Sequence, residues 1–145
     1  MSISNARILC IEDYSESCRL ISQLLFTEKY NLDFTVTHSP AQALKLAAAQ
    51  SFDLYIVKSR LPEMTGVEFC RRIRKTDKET PILFLSSRMR SSDCKVALAA
   101  GVDEFLVLPV DPGRLAEKVK GFLKKSPLYF NARASLDQQF FGSAY

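Results

Sequence analysis

Residues 53–66 read DLYIVKSRLPEMTG. Leu54 to Val57 form a continuous apolar run, the pattern of a short strand buried on both faces. The run ends on a cation, Lys58, followed by Ser59, Arg60 and a turn framed by Pro62 and Gly66. A lysine at a strand end is ordinarily solvated, so its meaning depends on what the rest of the chain places around it.

Outward from this stretch, short apolar runs alternate with helical patterns. RILCI (7–11) reads as a first strand. Over 15–28, Cys18, Ile21, Leu24 and Leu25 recur at helical spacing. FTVTH (34–38) alternates and is β-branched, which predicts a second strand. Ser39 and Pro40 supply an N-cap and a first-turn proline for an alanine-rich helix to about residue 50. A helix over 67–75 puts Phe69, Cys70 and Ile73 on one face. PILFLS (81–86) is the fourth strand, and Ser91, Ser92 and Asp93 cap a helix that Gly101 stops. EFLVL (104–108) is the fifth strand. Asp111 and Pro112 then open a last helix, with Leu115, Val119, Phe122 and Leu123 facing inward.

Strands alternating with helices predict an α/β domain, a doubly wound parallel sheet of five strands with five helices on its two faces. In such sheets ligands and chemistry lie beyond the carboxyl ends of the strands. Those ends carry Glu12 and Asp13, His38 and Ser39, Lys58 and Ser59, Ser86 and Ser87, and Leu108 and Pro109.

Composition narrows the function classes. The 145 residues suit one domain, and 47% apolar with 25% charged residues is ordinary globular usage. No apolar run approaches a membrane span, and MSISNARILC lacks the basic and apolar segments of a secretory signal. Four scattered cysteines and a single histidine, His38, argue against a zinc site or a disulfide framework and suit a reducing cytoplasm. A net charge of +4 permits an acidic partner without demanding one. RRIRKTDK (71–78) reads as an exposed helix end, because no aromatic residues interleave with it as nucleic-acid stacking would require. The turn EDYSES after the first strand has no glycine to bring amides onto a phosphate, which speaks against a nucleotide- or flavin-dependent enzyme. No nucleophile–base pair is evident either.

Two adjacent carboxylates after a first strand, Glu12 and Asp13, are a means of holding a hard cation through oxygen ligands. With ILCIED, DLYIVKSRLPEMTG, PILFLSS and AAGVDEFLVLPV in this order, the chain resembles a response-regulator receiver domain of CheY-like type over about 7–125. The relative spacing of the separate motifs makes the resemblance specific. It implies a flavodoxin-like sheet of strand order 2-1-3-4-5. It also implies a mechanism in which a kinase's histidine passes a phosphoryl group to an aspartate ending strand three, assisted by Mg²⁺.

Carried over residue by residue, Glu12 and Asp13 match the acidic pair, and Pro62 and Gly66 the turn after the phosphoacceptor. Ser86 matches the switch hydroxyl, Phe105 the switch aromatic, and Pro109 the proline after the strand-five lysine. Two positions depart: Lys58 stands where the phosphoacceptor aspartate belongs, and Leu108 where the lysine belongs. Lys58 is then expected to face Glu12 and Asp13, occupying the charge and space of Mg²⁺, so metal binding there is expected to be weak or lost.

The resulting expectation is a pseudo-receiver: not an enzyme, without a required cofactor, cytoplasmic, and acting by protein–protein contact in a two-component type of phosphorelay. The partner face implied by the resemblance carries Arg88, Arg90, Lys95, Phe105, Arg114 and Lys118, and self-association through it is one form that contact could take. Residues 1–125 form the domain, and 126–145 a tail or linker with Tyr129, Phe130, Phe140 and Phe141. The alternatives are a receiver triggered by a small ligand or by phosphorylation of Ser59 or Ser86, the regulatory fragment of a longer protein with an output domain, and a flavodoxin-like enzyme.

Overall fold

A computed structural model of the chain describes residues 4–11, 23, 30–109 and 111–124. Strands β1 (Ser4–Ile11), β2 (Tyr30–Thr37), β3 (Leu54–Lys58), β4 (Ile82–Ser86) and β5 (Glu104–Val107) form one parallel sheet in the order β2-β1-β3-β4-β5. Helices α1 (Pro40–Ala49), α2 (Gly66–Arg74), α3 (Ser91–Ala99) and α4 (Pro112–Lys124) complete the described elements. The helix expected over 15–28 lies outside the described residues except for Gln23, which is helical.

The apolar runs are continuous because both faces of the central strands are covered. Along β3, Leu54 and Ile56 enter a core with Ile8, Cys10, Leu83 and Leu85 under Leu115, Val119 and Leu123 of α4. Tyr55 and Val57 point the other way, packing with Leu9, Ile11, Ile82 and Phe84 against Phe69, Cys70 and Ile73 of α2 and Ala97 of α3. The strand period of two thus sorts one run into two cores. Each large apolar side chain buried this way contributes roughly 1.5–3 kcal/mol. Cys10 and Cys70 are buried and in no disulfide, and burial pushes the Cys70 thiol up to about 12.

The helix starts at Ser39 and Asp111 follow the sequence signals, while Thr65 caps α2 without having been singled out. The Ser39 hydroxyl accepts from the Gln42 N–H (3.1 Å) ahead of Pro40. Thr65 accepts from Glu68 (3.1 Å), and the Asp111 carboxylate from Arg114 (3.3 Å). At α3 the N-cap is Arg90, not the Ser91, Ser92, Asp93 run; the Arg90 N–H donates to the Asp93 carboxylate at 2.9 Å, so Asp93 caps from inside the first turn. Gly101 ends that helix at φ 97, a left-handed conformation that costs glycine least. Strand limits also shift. β1 and β2 pair from Ser4 and Tyr30 onward, upstream of the apolar runs, because ladder bonds need only backbone groups. β5 ends at Val107, leaving Leu108 just outside it.

Candidate functional site

The carboxyl end of the sheet is built around the turn after β3. Lys58, the last residue of β3, is half-buried and pairs in register with Leu85. The Ser59 N–H donates to Leu85 O (2.8 Å), the Gly66 N–H to Ser59 O (2.8 Å), and Arg60 bridges Thr65. Inside this closed turn the Met64 N–H bonds Pro62 O (2.8 Å) and Glu63 sits at φ 73. A Cβ on Gly66 would collide with the Lys58 carbonyl and come within 2.9 Å of Phe84 Cε1. Glycine here lets α2 start directly against the strand end, which fixes where the β3 terminus points.

Next along the sheet edge, Ser86 is buried, and its hydroxyl donates to Arg88 O (2.8 Å) and accepts from the Arg88 N–H (3.2 Å). The Leu108 N–H donates to Ser86 O (2.7 Å), bringing the two positions together. The Leu108 side chain packs on the α4-side core, and its peptide to exposed Pro109 is cis. Phe105 is half-buried, in register with Phe84, and packs on the opposite core.

Arg88, Arg90, Lys95 and Arg114 are exposed. Lys118 is committed inside the domain, 3.0 Å from the Glu104 carboxylate, where it ties α4 to β5. Glu12 and Asp13 lie outside the described residues, and with them the expected contact to Lys58. Among the described residues no three acidic, histidine or cysteine side chains gather as a metal site. The described strand ends offer an ammonium at Lys58, a hydroxyl at Ser86 and an alkyl group at Leu108. None of these three is the carboxylate that Mg²⁺ usually takes among its oxygen ligands.

The sequence reading did not group three arginines that the structure brings together. Arg60, Arg71 and Arg88 line one groove of about 720 Å³ between α2 and α3. Arg60 and Arg88 follow β3 and β4 at the sheet's carboxyl edge, and Arg71 lies within α2, which starts at that edge. Their common position was the available signal, but it needed the right-handed crossovers to become a shared surface.

The response regulator receiver domain family matches residues 8–120. Response regulator ArlR of Staphylococcus epidermidis is 31% identical over 120 residues, covering 83% of this chain and 53% of that protein. Its Staphylococcus aureus counterpart is 30% identical over 121 residues, covering 83% and 54%. The chain thus spans about half the length of these relatives. Among solved structures, chemotaxis protein CheY4 of Vibrio cholerae superimposes with a TM-score of 0.70 at 26% identity, over 82% of this chain and 99% of that one. A CheY-like receiver domain protein of Methanospirillum hungatei gives a TM-score of 0.71 at 24% identity, over 84% and 96%. Strand order, motif order and these matches agree, and the chain belongs to the response regulator receiver domain family.

Proposed function

We propose that this receiver domain signals without aspartyl phosphorylation, as a pseudo-receiver that acts by binding partner proteins. The observation carrying this reading is the side chain that ends β3. Ahead of the turn closed by Gly66 stands Lys58, which has no carboxylate to form an acyl phosphate. Two further features support it. Leu108 after β5 has no charge to pair with a phosphoryl oxygen, and the Ser86 hydroxyl is already bonded at both the N–H and the C=O of Arg88. Glu12 and Asp13 then serve Lys58 rather than Mg²⁺, and no cofactor is required.

Residues 1–125 act as the binding module in the cytoplasm, with 126–145 as tail or linker. Arg88, Arg90, Lys95 and Arg114, with Phe105, orient an acidic partner or a second copy; such charges steer and select more than they add affinity. No helix among the described residues is long and apolar enough to cross a membrane.

Intact-mass measurement after incubation with acetyl phosphate and Mg²⁺ tests the reading. The protein as it stands gains no phosphoryl adduct, whereas the Lys58→Asp/Leu108→Lys variant gains one that hydroxylamine removes. A hydroxylamine-labile adduct on the unaltered protein would end the pseudo-receiver reading.

A further inference from the structure

The groove between α2 and α3 combines two chemistries. Val67, Phe84, Met89 and Val96 give it an apolar strip, and Val96 is 44% exposed. Arg60 from the turn after β3, Arg71 from α2 and Arg88 from the loop after β4 line it as well. Among the described residues lining it there is one carboxylate, Asp93, and it already accepts the Arg90 N–H at 2.9 Å. Arg71 shares Glu68 with Arg72, at 3.8 Å and 3.2 Å, so two guanidiniums divide one carboxylate. Neither Arg60 nor Arg88 makes an ion pair among the described residues.

We propose that this groove docks an acidic, amphipathic segment of a partner protein. Its apolar residues lie on the strip, and its carboxylates reach Arg60, Arg71 and Arg88. The inference rests on the partner-binding reading above but uses a different surface, sharing only Arg88 with it. Charge decides the occupant. Arginine forks match carboxylates in paired hydrogen bonds, and apolar centres with arginine are typical of binding hot spots. A second copy of this chain would bring a net charge of +4 against the same arginines, which disfavours self-docking here. Ser86 holds the Arg88 backbone at both polar groups, so the loop carrying this guanidinium is already ordered before a partner arrives.

The test is fluorescence anisotropy of the full chain with a fluorescein-labelled helical peptide carrying Leu at i and i+4 and Glu at flanking positions. Saturable binding is expected, weakened at least about tenfold by Arg60→Glu/Arg88→Glu and by added salt. Lys45→Glu, exposed on α1 and away from the groove lining, leaves it unchanged. Both arginines of the double variant are exposed, so circular dichroism is expected to show an unaltered fold. The proposal is overturned if the acidic peptide does not bind, if a Lys-for-Glu peptide binds equally, or if the double variant binds like the parent. Pyrophosphate shifting the groove amides in NMR where the peptide does not would assign a small-anion site instead. A dimer in sedimentation that the double variant breaks would assign a second copy. None of these readouts involves Lys58, so they are independent of the acetyl phosphate test.

Discussion

The two ends of the sheet use their polar groups differently. Where β3, β4 and β5 begin, side chains are bonded to one another. The Arg7 N–H donates to the Asp53 carboxylate (2.8 Å), and the Asp53 N–H returns a bond to Arg7 O (2.7 Å). The Tyr55 hydroxyl donates to Asp77 (2.9 Å), whose other oxygen accepts the N–H groups of Glu79 and Thr80. Arg74 donates to Gly101 O, Asp77 O and the Asp103 carboxylate, and Asp103 also accepts the Ile82 N–H at 2.8 Å. At the carboxyl end the pattern changes. Ser86 bonds its own loop, and Arg60 and Arg88 reach into an open groove. One end holds the sheet together; the other leaves arginines lining an open groove. The difference follows from the topology, since parallel strands put all their carboxyl ends, and the loops that follow, on one side.

The largest effect that could break this comparison is at Arg74, whose side chain is 16% exposed. Arg74→Ala removes bonds to two carbonyls and a carboxylate, and is expected to cost about 2–4 kcal/mol in urea unfolding. A loss too small to measure would mean that the network is only decorative. Tyr55→Phe is a smaller change. Burial raises the Tyr55 hydroxyl's pKa first, with the Asp77 hydrogen bond adding to it, so the group stays a neutral donor. Losing that one bond is expected to cost about 1–1.5 kcal/mol, read from the same denaturation midpoint.

Lys58→Met sharpens the contrast from the other end, with a stability change expected within about 1 kcal/mol. A penalty matching Arg74→Ala would make Lys58 a structural strut rather than a site residue. The smallest expected effect is on pH dependence. Burial pushes the Asp77 carboxyl up, but hydrogen bonds from Thr80, Tyr55 and Glu79 outweigh it and leave the carboxyl below its ordinary value. A depressed carboxylate stabilises the fold above its unfolded pKa, near 4, and loses that contribution as pH falls through the folded value. Asp77→Asn should therefore flatten the acid limb of the stability curve; an unchanged limb would remove Asp77 from the account.

Much of the site was legible because strand ends and turn residues have local signatures. The apolar run 54–57, the Pro62 and Gly66 turn and the Asp111–Pro112 helix start are each readable within a few residues. Lys58 at the end of β3 and Leu108 after β5 were readable for the same reason. Which member of the Ser91, Ser92, Asp93 run caps α3 was not, because only geometry separates three adjacent candidates.

The sequence by itself determined the alternation of elements, the parallel doubly wound sheet and the positions that face its carboxyl edge, because strand period, caps and breakers act over a few residues. Tertiary structure alone decided that Lys118 is spent on Glu104, that Ser86 is fastened to Arg88, and that Arg60, Arg71 and Arg88 share a groove. Those contacts join residues from different elements, and no local pattern encodes a distance that depends on how helices pack across the sheet.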